Sequence, residues 1–185
     1  MDVPNLKCYV VLLDEYAKDT DYEVLKAAGV SAVYIKLGRL FDDSHNRFSQ
    51  YKYPNLELQT EQAIKANMPY GFIVDMCARD ANEAVEEVNA AKIYIQKYTP
   101  PIGVFMALHL TMPKSINDLI MQRYIKYLTP LGLTNKLGIY ATRGQLNEIT
   151  WDDVKEQLYL WLVDHVSDLN QLDTLLSPEF FMLGA

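Results

Sequence analysis

The feature that most constrains this chain is a regular alternation of short apolar runs with segments of helical period. Residues 8–13, Cys-Tyr-Val-Val-Leu-Leu, are continuously apolar, as parallel strands are when both faces of their sheet are covered. Thr20 and Glu23 then stand in capping-box spacing, with Tyr22, Val24, Leu25 and Ala28 on one helical face and Gly29 as the stop, which predicts a helix over 21–28. Residues 31–37 (Ser-Ala-Val-Tyr-Ile-Lys-Leu) predict a second strand ended by Gly38. A polar stretch over 39–54 predicts a long loop, of a length that often carries function, before a helix over 55–67.

The pattern repeats along the chain. Residues 70–74 predict a third strand, and Asp80 and Glu83 in capping-box spacing open a helix whose apolar positions Ala84, Val85, Val88, Ala91, Ile95 and Tyr98 keep a period near 3.6. Residues 102–108 predict a fourth strand, Ser115 a cap for a helix carrying Ile116, Leu119, Ile120, Tyr124 and Leu128, and residues 137–140 a fifth strand. Thr150 and Asp153 start a short helix before a sixth strand over 158–163. Strands alternating with helices imply parallel pairing through right-handed crossovers, in a doubly wound sheet or a barrel. No Gly-x-Gly-x-x-Gly or Gly-x-x-x-x-Gly-Lys follows the first strands, so nucleotide-binding sheets lose weight, a barrel is preferred and no cofactor is expected.

Composition sets the outer limits. At 185 residues, half of them hydrophobic, the chain is expected to form one domain over 1–185. A net charge of −7 argues against nucleic acid as a partner. The apolar runs fall far short of the roughly 20 residues that cross a bilayer, so no membrane span is expected. Residues 1–7 lack a basic region followed by an apolar stretch, so no secretory signal is expected. Cys8 and Cys77, at opposite ends of a parallel sheet, are expected to be free thiols.

In such barrels the site is built at the carboxyl ends of the strands. Those positions hold Asp14 and Glu15, Lys36 and Arg39, Asp75, His109, Tyr140 with Thr142 and Arg143, and Asp164 with His165 and Asp168. Asp14 and Glu15 offer two carboxyls, as glycoside cleavage requires, but adjacent strand residues point to opposite faces, so at most one faces a pocket. Asp75 directly follows an apolar run and is placed to point into the barrel mouth. His109 is a weak candidate for a base, since a lone histidine among apolar neighbours is more often a hydrogen-bonded core residue. His45, His109 and His165 have no metal-ligand spacing, so no metal site is expected. Trp161 and the thirteen tyrosines supply core and possible stacking faces for sugar rings. No Gly-x-Ser-x-Gly elbow is present, and Cys77 has no evident His and Asn partners.

The order of segments resembles the glycoside hydrolase family 25 lysozymes. Residues 21–30, Asp-Tyr-Glu-Val-Leu-Lys-Ala-Ala-Gly-Val, are similar to the family's Asp-Trp-x-x-Val-Lys-x-Ala-Gly, and residues 32–36 to its Phe-Val-Ile-Ile-Lys strand. Residues 63–71 resemble its helix and turn into the third strand, and Leu-Gly-Ile-Tyr at 137–140 and Leu-Trp-Leu-Val at 160–163 its Gly-Ile-Tyr and Leu-Trp-Ile-Ala strands. The resemblance implies a single-domain α/β fold, an irregular, flattened (β/α) barrel of eight strands, and a peptidoglycan muramidase frame.

The same resemblance exposes a deficit. Against the family's Pro-Val-x-x-Asp-x-Glu on strand four, Ala107 takes the Asp position and His109 the catalytic Glu position. On strand one, Leu12 takes the place of another site Asp, and Asp14 sits two residues too late. The expectation is a pseudoenzyme that binds cell-wall glycan or serves as a module of a phage particle or bacterial surface. Lys36, Asp75, His109, Tyr140, Trp161 and Asp164 are its expected ligand contacts. Two alternatives stay open: an active muramidase using relocated carboxylates (Asp75 with Asp14 or Glu15), and an assembly protein with a vestigial site.

Overall fold

The computed structural model describes residues 9–14, 16–18, 20–42, 45–48, 51–133 and 135–162. Strands and helices alternate through them: β1 Tyr9–Leu13, α1 Tyr22–Ala27, β2 Val30–Gly38, α2 Leu56–Lys65, β3 Tyr70–Met76, α3 Ala81–Tyr98, β4 Val104–Leu108, α4 Lys114–Leu128, β5 Leu137–Ala141, α5 Arg143–Leu146 and β6 Tyr159–Leu162. All five strand pairs are parallel, and the order across the sheet is β1-β2-β3-β4-β5-β6. A doubly wound sheet reverses its strand order partway across; this one never does, so every crossover falls on the same face.

The two faces are correspondingly unlike. Val33, Ile35 and Leu37 of β2, Phe72, Val74 and Met76 of β3, and Val104, Met106 and Leu108 of β4 meet the helices in the main core. Against them α3 presents Ala84, Val88, Ala91 and Ile95, each 0–2% exposed, at the three- and four-residue spacing that makes one helical stripe. The opposite face carries a second cluster, built on Tyr34, Ile73 and Ala107 with Val10, Leu12, Ile102, Phe105, Tyr140 and Trp161 against it. Alternation along each strand separates the sets, so Tyr34 and Lys36 share this inner face while Ile35 lies on the other.

The sheet is a curled half-barrel, and its strands number six among the described residues, not the eight implied by the family resemblance. Strands stand about 4.8 Å apart, and about eight are needed before a small barrel closes on its own side chains. Residues beyond 162, where further strands would be sought, lie outside the described residues, as do Cys8 and Val163 at the predicted strand ends.

Two helix starts differ from the sequence pattern. Asp21, not Thr20, caps α1, its carboxylate accepting from the backbone N–H groups of Glu23 and Val24. At α4 the cap position is Pro113 and not Ser115, because proline, with φ −52° and ψ 144°, leaves the chain extended until Lys114. Asp80 does cap α3, accepting from Asn82 and Glu83 N–H, while the Glu83 carboxylate reaches back one residue further, to Arg79 N–H. The loop over 39–54 folds back on itself through bridges Gly38–Lys52 and Phe41–Arg47, so Tyr53 returns beside β2 with its N–H on Leu37 C=O.

Two glycines make the inner face possible. A Cβ on Gly71 would lie 2.2 Å from the Tyr34 ring, and one on Gly138 would lie 2.3 Å from the Phe105 ring. Each aromatic ring therefore lies across its neighbouring strand where only hydrogen fits. Tyr34 and Phe105 meet edge to face at 5.0 Å, and both meet Trp161, at 5.5 and 5.7 Å. Gly138→Ala is expected to cost about 1–3 kcal/mol by overpacking. In urea denaturation the cost should shrink in the Phe105→Ala background, where the ring that blocks the new methyl is gone. Equal costs in both backgrounds would contradict this account of the glycine.

Candidate functional site

The strand ends on the inner face converge on one carboxylate. Asp75 lies within β3, not after it as the sequence pattern suggested, because the ladder to β4 continues through Asp75–Ala107 and Met76–Leu108. Register places Asp75, Ala107, Tyr140 and Trp161 in one row across β3 to β6. Lys36 stands one strand further back and His109 follows directly on β4, its N–H donating to Met76 C=O at 3.1 Å.

Asp75 is 2% exposed, so its charge has to be compensated locally. The Tyr53 hydroxyl donates to Oδ2 at 2.7 Å, Lys36 Nζ stands 3.5 Å from Oδ2, and His109 Nε2 lies 3.2 Å from Oδ1. Burial pushes the carboxyl up, but the His109 hydrogen bond, the Lys36 charge and the Tyr53 hydroxyl outweigh it and hold Asp75 below the usual carboxylate range. It is therefore an anion at neutral pH and has no proton to give. The Tyr140 hydroxyl sits in the same field: burial pushes it up, Lys36 pulls it down and Asp75 adds to the rise.

The remaining candidates divide clearly. Asp14 is exposed, and its Oδ1 accepts from Tyr16 N–H at 2.9 Å and Ala17 N–H at 3.2 Å, so it closes the turn after β1. Trp161 is half-buried and meets Tyr140 edge to face at 5.2 Å. Thr142 caps α5 in a capping box with Gln145, whose Nε2 donates to Leu108 C=O at 2.6 Å and ties that helix to the end of β4. His45 stacks on Phe41 and lies 2.9 Å from Glu83 on α3, away from the row. Cys77 forms no disulfide among the described residues. Glu15, Asp164, His165 and Asp168 lie outside the described residues. Among the described residues no group of three or more His, Cys, Asp or Glu side chains gathers where a metal ion could be held, and no helix is long and apolar enough to cross a membrane.

Sequence reasoning missed Tyr53 and Gln145. Tyr53 gave no signal beyond its place in a long loop, and it reaches Asp75 because that loop doubles back. Gln145 stands three residues after Thr142, a capping-box spacing that was there to be read.

The compensation of Asp75 has a pH signature. A group whose folded value is depressed stabilises the fold fully above its ordinary range and loses that contribution as pH falls through the lowered value. Asp75→Asn is expected to destabilise by about 1–3 kcal/mol at pH 7, below the usual cost of breaking a fully buried pair because Lys36 and His109 can turn to solvent. It should also flatten the acid limb of a melting-temperature profile below pH 4. An unchanged acid limb would contradict the assignment.

No protein-family model matches the sequence, and no curated protein matches it. Solved structures do. The modular autolysin LytC from Streptococcus pneumoniae, in complex with a synthetic peptidoglycan ligand, superposes with a TM-score of 0.71 at 15% identity, over 86% of this chain and 38% of that one. The catalytic domain of endolysin ply40 from bacteriophage P40 of Listeria monocytogenes gives 0.71 at 19%, over 89% and 77%. A family 25 glycosyl hydrolase from Bacillus anthracis gives 0.67 at 13%, over 91% and 75%. This chain spans well under half the length of LytC, and at these identities the likeness is one of chain path. The half-barrel of this protein therefore has the fold of the family 25 glycosyl hydrolases.

Proposed function

We propose that this protein binds bacterial cell-wall glycan on a lysozyme-like fold without turning it over. One observation carries the reading: in the row Asp75–Ala107–Tyr140–Trp161 the single carboxylate is buried and compensated by Lys36, His109 and Tyr53. Glycoside cleavage needs a carboxyl that stays protonated to act as acid, and a second one about 5–5.5 Å away as nucleophile or about 6.5–9.5 Å away as base. Asp75 is held in the ionised form and its oxygens are already occupied. Ala107 has no acid to offer. His109 can donate a proton, but beside it no second carboxylate faces the developing sugar cation among the described residues of the row. Each general acid or base step is typically worth about 100-fold to 10,000-fold in rate, so their joint loss leaves little turnover.

What remains suits recognition. Tyr140 and Trp161 present half-buried aromatic surface in the same row as Asp75, with the Lys36 charge acting on the Tyr140 hydroxyl, a combination that meets the apolar face of a sugar ring and its hydroxyls together. Cell-wall glycan is the partner that the fold favours, since a structural neighbour holds a synthetic peptidoglycan ligand and another is a phage endolysin domain. On this reading the protein acts at a bacterial surface or in a phage particle.

Co-sedimentation with purified peptidoglycan sacculi tests the proposal. The folded protein is expected to bind saturably, with Tyr140→Ala weakening affinity about tenfold, equivalent to about 1.4 kcal/mol. Absence of binding by the folded protein would overturn the glycan reading in favour of an assembly role, and clearing of the sacculi would overturn the loss of turnover.

A further inference from the structure

Behind the strand-end cluster, on the helix-facing side of the sheet, lies a second buried acid that takes no part in the reading above. Glu87 on α3 is 0% exposed. Its Oε2 accepts from the backbone N–H groups of Cys77 and Ala78, both at 3.1 Å, and from the Tyr124 hydroxyl of α4. Cys77 and Ala78 form the turn that directly follows Met76, whose C=O accepts from His109 N–H. A continuous path thus runs from one carboxylate, through the β3–α3 turn, to the backbone that seats His109, and from the His109 ring to Asp75.

We propose that Glu87 is a positioning residue for the strand-end cluster, and that proton binding at its carboxyl shifts the turn on which His109 is seated. Hydrogen bonds to an ionised acceptor are roughly twice as strong as neutral ones, so the ionised carboxylate grips both N–H groups firmly and the protonated one holds them weakly. The titratable groups that face it are Tyr124 from α4 and Tyr51 from the loop before α2; both tyrosines also feel the Cys77 thiol of the turn, and Tyr51 feels Asp75 and Tyr53. The donors that favour the charged form are neutral, the Tyr124 hydroxyl and the Cys77, Ala78 and Leu40 backbone. Burial outweighs them and pushes Glu87 up to about 7. The grip therefore changes across the neutral range. The coupling affects a ligand only if the mouth binds one as proposed above, and it is measurable without any ligand, so the two can fail separately.

NMR on the whole chain tests it, following the Glu87 carboxyl carbon, the Cys77, Ala78 and His109 amides, and the His109 ring carbons, which report that ring's own titration separately. The carboxyl and the three amides are expected to share one transition near pH 7. Glu87→Gln, an uncharged mimic of the protonated acid, should abolish that transition in the amides. Tyr124→Phe, which removes one donor to the carboxylate and leaves the turn's donors in place, should move the shared midpoint upward in the carboxyl and in all three amides. Stability has a matching sign. An acid raised in the folded state makes the native form bind the proton more tightly, so stability falls as pH rises from the ordinary value of 4.5 toward about 7, and Glu87→Gln should remove that fall. A Glu87 carboxyl that titrates below pH 5 would overturn the proposal. So would a His109 amide whose midpoint stays fixed in Tyr124→Phe while those of Cys77 and Ala78 move.

Discussion

A carboxylate cannot be taken out of water without compensation, and the inner face of this half-barrel is organised around that requirement at Asp75. Three elements contribute: Lys36 from β2, Tyr53 from the returning loop, and His109 from the end of β4. The same contacts that make the burial tolerable hold the group ionised and occupy its oxygens. The proposed loss of turnover rests on this opposition between compensating a buried charge and leaving it reactive.

The rest of the inner face follows from how small and large residues alternate across the strands. Gly71 and Gly138 let the Tyr34 and Phe105 rings lie over the sheet, and these rings with Trp161 fill the concave side close to Asp75. Ala107, between Asp75 and Tyr140 in register, adds no polar atom. Helices on the opposite face fix the strand ends from behind: Gln145 bonds Leu108, and Glu87 bonds the turn after Met76. The mouth is thus set by contacts on both sides of one sheet.

Much of this was legible in the residues. Short continuous apolar runs and period-3.6 patterning located all six described strands and the long helices, because burial on both faces or on one stripe writes itself directly into apolar spacing. Asp75, His109 and Lys36 were named from their places at strand ends. Their mutual contacts were not legible, because they depend on register between strands some 30 to 70 residues apart in the chain. Tyr53 was invisible for a similar reason, since it acts through a loop whose path only the folded backbone defines. Helix starts at Asp21 and Pro113 were displaced by one or two residues because neighbouring polar side chains compete for the same orphan N–H groups and proline dictates where the chain turns. Asp14, a weak candidate in the sequence, closes a turn in the structure.

The central claim is that this fold has kept a glycan-facing surface and lost the acid pair that breaks the glycosidic bond. The most direct measurement is the release of new reducing ends from purified peptidoglycan over a long incubation with the protein at pH 5 to 7. The account predicts no release above a protein-free control. Release that depends on protein concentration and disappears in Asp75→Asn would contradict it.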